Sequence, residues 1–391
     1  MKSPSLILRP AYILPLVVVA QFAGTSLWFA TNAILQNLQS YHPASGSFLS
    51  TMTTAVQLGF VIGTLVYSYF SFADRYSPVR VFMISSLFAA VCNVAVLITY
   101  QTLPALVVSR LGVGFFLAGV YPVGMKICSD WYEAGLGKAL GYLVGALVLG
   151  TAFPHLIKAL AYSPDWRYVI LTTSGLATVG GLIVGIMVGD GPYRRIAGKL
   201  NPAMLGEVFR KADFRKYAFG YIGHMFELYT FWAFVPLLLV AYTRQTGSAL
   251  NISLWSFGII TAGALGCVLT GELSGKWGSH RTAWVALVIS TVCCLLVPAL
   301  GLLSPFLLGI YLLIWGISVV GDSPQFSTLV AQNAPADFKA TALTIVTSIG
   351  FFITIPSLYL TQWLFEQFDY PALVVLALGG VVGLGAMRVR W

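Results

Sequence analysis

The stretch DRYSPVR, residues 74–80, follows the second long apolar segment of the chain, and GKWGSHR, residues 275–281, follows the eighth. The two stretches align without gaps at an offset of 201 and match basic residues at two positions. Two further pairs align at nearly the same offset: YPVGMK at 121–126 with SPQFST at 323–328, and GKALG at 137–141 with FKATA at 338–342. This spacing predicts two parallel repeats related by an axis along the membrane normal.

The composition indicates the medium in which the repeats fold. Of the 391 residues, 58% are hydrophobic and 9% charged, and the mean hydropathy is +0.84. Soluble domains carry roughly a quarter charged residues, so the composition predicts an all-α polytopic protein whose partner is the lipid bilayer. The five cysteines form no C-x-x-C motif, and none lies in a predicted external loop, so we expect no disulfide, no metal and no cofactor.

Twelve apolar segments are each long enough for a helix to cross the hydrocarbon, which takes about 20 residues. They are predicted at 11–36, 47–71, 80–100, 104–127, 138–160, 168–188, 217–242, 251–274, 282–301, 305–330, 340–361 and 371–388. The longest polar interval lies after the sixth segment. We therefore predict three regions: a six-helix bundle at 1–188, a cytoplasmic loop at 189–216 and a second six-helix bundle at 217–391.

Two local features refine this organisation. The first apolar run is longer than the core of a signal peptide, so we expect it to remain as a membrane helix. In the central loop, NPAMLGEVFRKADF at 201–214 offers Asn201 as a helix cap and Pro202 as the first helical residue. This pattern predicts a short helix on the inner membrane surface.

The basic residues predict the orientation of the chain. With both termini cytoplasmic, every Lys and Arg lies at a cytoplasmic end or loop except Lys158, Arg167, Arg244 and, within the fourth segment, Arg110. The opposite orientation would reverse that ratio, so the positive-inside rule favours N-in/C-in. The net charge of +9 is then a consequence of topology, and we expect no nucleic-acid partner.

Twelve segments, a basic central loop and the repeated inter-helix motif resemble the major facilitator superfamily of secondary transporters, over essentially the whole chain. The family's loop motif, G-x-x-x-D-R/K-x-G-x-R/K-R/K, is partly present as Asp74, Arg75 and Arg80. The first repeat departs from it at Phe70, Ser77 and Val79, and the second repeat has Gly271, Lys276, Gly278 and Arg281 but Gly275 in place of the acid. RLGVG at 110–114 resembles the family's fourth-helix motif.

The resemblance implies that the first, fourth, seventh and tenth helices line a substrate cavity. In the first helix, four polar or amphipathic residues share one face within about 60° of arc, at i, i+4, i+7 and i+11. They are Gln21, Thr25, Trp28 and Asn32. Since such groups are costly against lipid, we expect them to face the cavity. The alternative is hydrogen bonding between packed helices.

The seventh segment contains GHMFELYTFW, residues 223–232, in which His224 and Glu227 are three positions apart. Aligning the repeats through glycine places this pair on the cavity face of the second half. Residues at i and i+3 are neighbours on a helix and can exchange a proton. We therefore predict that Glu227 couples transport to protons and that His224 binds substrate or tunes the acid. The alternative is a permanently neutral structural pair.

Two further helices carry candidate cavity residues. Arg110 in the fourth segment needs a partner such as Glu227, Asp322 or backbone carbonyls, unless it extends to a helix end. Tyr121 follows on the same face. In the tenth segment, Asp322 is a second proton-coupling candidate, or it bonds the backbone disturbed by Pro324. Trp315 either closes the cavity or simply packs.

A separate set of charges lies at the inner helix ends. Asp74, Arg75, Arg80 and Asp130 are predicted to form ion pairs between loops, and the resemblance implies that such contacts hold one conformational state. Glu272 and Arg281 are predicted to be the second repeat's reduced version of this network, and Lys276 is a further gating candidate. Independent, solvated loop charges are the alternative, since exposed pairs contribute little.

These residues favour a secondary active transporter that moves a small polar or ionic solute by alternating access with protons. The chain is expected to act as a monomer in the cell inner or plasma membrane. A proton-antiporting exporter of a metabolite, drug or chelate is the alternative, although the fifth segment lacks the Gly-Pro-x-x-Gly-Gly pattern of drug–proton antiporters. An enzyme or a non-transporting sensor is less well supported, because no nucleophile cluster, ATP-binding loop or added soluble domain is found.

Overall fold

The computed structural model describes residues 10–43, 46–132, 136–160, 165–194, 205–335 and 339–388. Within these ranges the chain is helical and contains no strand. Eleven described helices are long and apolar enough to cross a membrane, and one shorter apolar helix precedes them. The all-α, twelve-helix prediction is confirmed.

The twelve helices are numbered in chain order. They are α1 Ile13–Thr25, α2 Phe48–Tyr69, α3 Pro78–Thr99, α4 Leu103–Trp131, α5 Leu136–Leu160, α6 Arg167–Met187, α7 Ala212–Thr246, α8 Ile252–Trp277, α9 Ser279–Leu302, α10 Pro305–Asn333, α11 Lys339–Phe368 and α12 Tyr370–Arg388. We call the end of the bundle that carries Asp74 the inner end and the end that carries Gly46 the outer end, following the predicted orientation. That orientation and the three predicted regions, 1–188, 189–216 and 217–391, stay predictions.

The first membrane segment differs from the uninterrupted helix predicted at 11–36. The helix ends at Thr25, and the path continues through the short helices Ala30–Ala33 and Leu35–Gln39. The Thr25 hydroxyl donates to Gln21 O at 2.8 Å and the Ser26 hydroxyl to Ala23 O at 2.7 Å. Such side-chain bonds compete with helical ones and bend helices. The interruption leaves main-chain carbonyls at mid-membrane that need other donors.

Close helix packing depends on glycines in α2 and α4. A Cβ added at Gly114 would lie 1.9 Å from Val56 O, and one added at Gly59 would lie 2.1 Å from Leu111 O. Only hydrogen fits at these positions, so the two backbones approach as small-residue packing in lipid allows.

Contacts between the first six and last six helices show which end is closed. At the outer end, Ser50 Oγ donates to Leu358 O at 2.9 Å and Gln362 Nε2 donates to Gly46 O at 3.3 Å. At the inner end, a cavity of about 610 Å³ lies between α2, α4 and α5 on one side and α10 and α11 on the other. The structure is therefore inward-facing.

The central loop is described only in part. A short helix, Leu205–Arg210, precedes α7 and agrees with the predicted surface helix. The predicted cap Asn201 and the following Pro202 lie outside the described residues.

Candidate functional site

The four predicted cavity residues of the first segment are all buried. Asn32 Nδ2 donates to Thr53 Oγ1 at 2.9 Å, and the Thr25 hydroxyl bonds within its own helix. Gln21 lies against Gly124 of α4, and its amide has no hydrogen-bond partner among the described residues. Thr25 and Asn32 are therefore hydrogen-bonded to helix atoms, whereas the Gln21 amide is unpaired among the described residues.

Trp28 belongs to an aromatic cluster that the sequence did not indicate. Its ring centroid lies 4.9 Å from Phe60, 5.5 Å from Tyr229 and 5.6 Å from Phe351, and the last ring is stacked on it. Phe60 and Phe351 are themselves 4.5 Å apart. Because α2 and α11 contribute from opposite halves, this aromatic barrier closes the molecule at mid-membrane.

Glu227 is fully buried and is held by neutral donors. Its Oε1 accepts from Trp315 Nε1 at 2.7 Å, and its Oε2 lies 3.1 Å from Ser290 Oγ. In the described part of the chain, Glu227 forms no ion pair with a Lys or Arg. Trp315 is also stacked on Phe231 at 4.1 Å, so this indole both packs and bonds the acid.

His224 does not bond Glu227, although the two residues are one turn apart. Its Nδ1 lies 2.8 Å from Asp322 Oδ1, and both side chains are buried, with exposures of 1% and 0%. The other ring nitrogen, Nε2, has no hydrogen-bond partner within the described ranges. The structure thus places the two acids in different surroundings: Asp322 faces an imidazole, and Glu227 faces an indole and a hydroxyl.

Arg110 is fully buried and therefore does not extend to a helix end. It donates to Asn93 Oδ1 at 2.7 Å, to Leu27 O at 2.9 Å and to Trp28 O at 3.0 Å. Leu27 O also accepts a longer bond from Ala30 N at 3.5 Å, so the guanidinium supplies the closer donor at the interruption after α1. No carboxylate pairs with Arg110 among the residues that the structure describes.

Asn93 orients this guanidinium, and its only signal in the sequence is that it is a polar residue in an apolar helix. Its Nδ2 donates to Ser174 Oγ at 2.9 Å and to Thr173 Oγ1 at 3.1 Å of α6. Because arginine only donates, the Asn93 atom that faces it must be the oxygen. One amide thus connects α3, α4 and α6.

The remaining predicted cavity residues lie at breaks in α4 and α10. Tyr121 is half-buried at the point where α4 resumes before Pro122, and Pro122 lines the inner cavity. Asp322 lies between the two helical segments of α10, at the C-cap of the first and the N-cap of the second. Of all predicted site residues, Asp74 alone lies on the wall of the inner cavity.

The inner charges form ion pairs with partners other than the predicted arginines. Lys126 Nζ lies 3.1 Å from Asp74 Oδ1 and 3.4 Å from Asp130 Oδ1, which links the segment before α3 to the inner end of α4. Arg194 donates to Asp74 O at 3.0 Å.

The other five charged residues predicted at the inner helix ends are placed differently. Arg75, Arg80, Glu272 and Lys276 form no ion pair within the described residues, and Arg281 lies over the Trp277 ring at 5.6 Å. The inner network thus depends on Lys126 and Arg194, which sequence reasoning missed.

The family model described as Major Facilitator Superfamily matches residues 14–358. A search of curated proteins found no match. Among solved structures, the nucleoside transporter NupG has 14% identity and a TM-score of 0.74, with 96% of this chain and 98% of that chain covered. The human organic anion transporter MFSD10 has 14% identity and a TM-score of 0.75, covering 97% and 100%. A bacterial homologue of the human lysosomal transporter Spinster has 15% identity and a TM-score of 0.68, covering 96% and 93%.

Proposed function

The chain belongs to the Major Facilitator Superfamily, and on that premise we propose that this transporter couples the movement of a small polar or ionic solute to protons, with Glu227 as the main proton carrier. The observation that carries the proposal is the setting of Glu227: a fully buried carboxyl group whose hydrogen-bond partners, Trp315 and Ser290, are neutral. An ionised carboxylate without a cation is costly in such a medium. A proton therefore accompanies Glu227 whenever the site is closed.

The hydrogen bonds around Glu227 suit both of its protonation states. When Glu227 is ionised, Ser290 Oγ donates to Oε2 across 3.1 Å. When Oε2 carries a proton, it can donate to Ser290 Oγ, because that hydroxyl has a second acceptor in Leu287 O at 3.2 Å. Trp315 donates to Oε1 in either case. The site can release and regain a proton without leaving a donor unpaired.

His224 and Asp322 form the second proton-coupling site of the proposal. A neutral imidazole and a charged one can both place a hydrogen on Nδ1 toward Asp322 at 2.8 Å. The unpaired Nε2 of His224 is then free for substrate or for a second proton. This arrangement supports a role for His224 in substrate binding and for Asp322 in coupling.

Alternating access in this proposal moves the barrier between the two halves. Trp28, Tyr229, Phe60 and Phe351 separate the inner cavity from the outer end in the inward-facing state. Opening the outer end requires the contacts of Ser50 and Gln362 to break. The Lys126 network at the inner end supports a gating role for Asp74 and Asp130. We assign this cycle to a monomer in the cell inner or plasma membrane.

The test compares proton-driven transport with exchange in proteoliposomes. A panel of radiolabelled polar metabolites is screened first, and the solute that accumulates on a pH gradient is retained. Glu227→Gln keeps the shape and the Trp315 bond but cannot ionise, so we expect it to abolish gradient-driven accumulation and to spare solute exchange. Glu272→Gln, an exposed carboxyl at the inner end of α8, is the matched control. Full accumulation in the Glu227 variant would contradict the proposal.

The same experiment decides the direction of transport. Accumulation driven by an acidic exterior indicates proton symport and import. Accumulation of the solute in vesicles with an acidic lumen indicates antiport.

A substrate-free measurement checks the same residue. The infrared spectrum of a buried protonated carboxyl group contains a carbonyl stretching band separate from that of an ionised carboxylate. We expect a band of this kind in the wild-type protein near neutral pH, lost in Glu227→Gln and retained in Glu272→Gln. A band unaffected by Glu227→Gln would contradict the assignment.

A further inference from the structure

A second, smaller cavity lies at the outer end, between the two halves. Its volume is about 180 Å³. Its walls come from the short helices Ala30–Ala33 and Leu35–Gln39 and from α5 in the first half, and from α7 and the start of α8 in the second. The polar wall residues are Asn32, Gln36, His155, Lys158, Asn251 and Ser253. None of the residues that line it is an aspartate or a glutamate.

The cavity has a positive electrostatic character from two sources. Lys158 is half-buried on its wall and forms no ion pair with any described acid. The 26-residue α8 begins at the same wall, so its first unpaired N–H groups and the positive end of its dipole face the cavity. Asn251 caps one of these groups, that of Leu254 at 3.0 Å. A lysine and a helix N-terminus together favour an anion.

An unpaired hydrogen-bond acceptor on the same wall narrows the choice of ligand further. Asn32 is 4% exposed, and its Nδ2 donates to Thr53 Oγ1, whose own hydrogen goes to Leu49 O. The Asn32 Oδ1 atom therefore remains an acceptor, and it has no partner among the described residues. Such an atom needs a donor from a ligand, because burying it unpaired costs free energy.

A third group supports a ligand at this position. His155 is 2% exposed, faces the cavity, and forms no hydrogen bond within the part of the chain that the structure describes. An ammonium donor on a ligand would be repelled by Lys158, whereas a hydroxyl would not. The complementary ligand is thus a small acid that carries a hydroxyl group.

We propose that this outer cavity is the external binding site for a small hydroxycarboxylate, with Lys158 and the start of α8 on the carboxylate and Asn32 on the hydroxyl. The inference rests on the proposed transport function, because it names the class of solute. Since the walls belong to both halves, the site opens when the outer contacts separate. It is then the first place where the solute meets the protein from outside.

The test uses glycerate, a three-carbon hydroxy acid, with the wild-type protein in lipid nanodiscs. We expect saturable binding of radiolabelled glycerate that unlabelled glycerol, which lacks the charge, does not compete. Lys158→Gln should weaken binding by about tenfold or more, as expected for loss of a charge-assisted contact. Lys158→Arg should retain most of it, and this variant separates lost charge from misfolding.

Two further variants complete the design. Arg167→Gln removes an outer positive charge that is paired with Asp165 and does not line the cavity, so it should leave binding unchanged. Asn32→Ala should lower the preference for glycerate over propionate, which lacks the hydroxyls. Absence of glycerate binding, or equal binding to Lys158→Gln and the wild type, would overturn the inference.

The outcome is distinguishable from that of the proposed function. Glycerate binding that depends on Lys158, without any gradient-driven accumulation by the wild type, supports the site and refutes proton coupling. Proton-driven accumulation of another solute, without glycerate binding, refutes the site alone.

Discussion

At the scale of single residues, buried charge is divided between the two halves of the molecule. The first half holds Arg110 without a carboxylate partner, and the second half holds Glu227 and Asp322 without a lysine or arginine partner, in the described ranges. A buried charge without an ionic partner must be hydrogen-bonded fully or neutralised. Arginine stays charged, and in the first half three fixed acceptors take hydrogen bonds from its two terminal nitrogens. A carboxyl group can take a proton, and this difference supports the proposal that proton coupling takes place in the second half.

The contacts of Arg110 predict that lysine cannot replace it. Its planar guanidinium reaches Asn93, Leu27 O and Trp28 O at once, whereas an ammonium is a compact point charge. Arg110→Lys should lose at least one charge-assisted bond, worth about 1.5–3 kcal/mol, and should lower both the thermal midpoint and the transport rate. Arg167→Lys, in an exposed pair, should leave both unchanged. An Arg110→Lys protein with wild-type stability would contradict the hydrogen-bonding role of the guanidinium.

Sequence reasoning identified these buried charges and offered backbone carbonyls as one partner for Arg110, but it did not identify the partners of the two acids. His224 and Glu227 are neighbours along α7, yet His224 is directed to Asp322 and Glu227 to Trp315 and Ser290. Those partners are more than sixty residues away in the chain. Helical spacing fixes which residues share a face, whereas the packed helices decide where each side chain points. Lys126 was overlooked for the same reason, because its two acids meet only in the folded chain.

At the scale of helices, the lengths of the apolar segments were sufficient to predict twelve spans. The interruption after α1 was not predictable from length, because it depends on local side-chain bonds at Thr25 and Ser26 and on the distant donor Arg110. The close approach of α2 and α4 was not predictable either, because the chain has 39 glycines and the sequence does not show which of them lie at helix contacts.

That close approach gives a prediction with an internal control. A methyl group at Gly114 would lie 1.9 Å from Val56 O, a backbone atom that cannot turn away, so Gly114→Ala must separate α2 from α4. We expect a loss of folded protein and a lower thermal midpoint, because overpacking of this kind lowers the free energy of unfolding by about 1–3 kcal/mol. At Gly145 in α5 an added Cβ meets nothing within 4 Å. Gly145→Ala should be neutral or stabilising, because alanine favours the helix by up to ~1 kcal/mol.

At the scale of the whole molecule, the two halves meet through different kinds of contact at each depth. The outer end has hydrogen bonds, mid-membrane has the aromatic barrier, and the inner end has a cavity of about 610 Å³. The repeat in the sequence predicted the two-bundle family fold but gave no information on which end is closed. That property depends on contacts between the halves, and these change during a transport cycle while the sequence does not.

The outer hydrogen bonds predict how the conformational equilibrium can be shifted. Ser50→Ala with Gln362→Leu removes both donors, to Leu358 O and to Gly46 O. At about 0.5–1.5 kcal/mol per bond, the pair should raise the ratio of outward- to inward-facing molecules by roughly 5–150-fold. Spin labels at Ser40 and Ala249, which are exposed at the outer end, should then show a longer-distance population in pulsed electron paramagnetic resonance.

The control is Gln367→Leu on the same helix, since the Gln367 side chain bonds only Trp363 O one turn away and contacts no residue of the first half by hydrogen bond. It should leave the distance distribution of the spin labels as in the wild type. The double variant must also keep its thermal midpoint above the temperature of the measurement, so that a broader distribution cannot come from unfolding. If the double variant gave the wild-type distribution, the outer bonds would not hold the inward-facing state. The aromatic barrier formed by Trp28, Phe60, Tyr229 and Phe351 would then be the contact that holds the halves together.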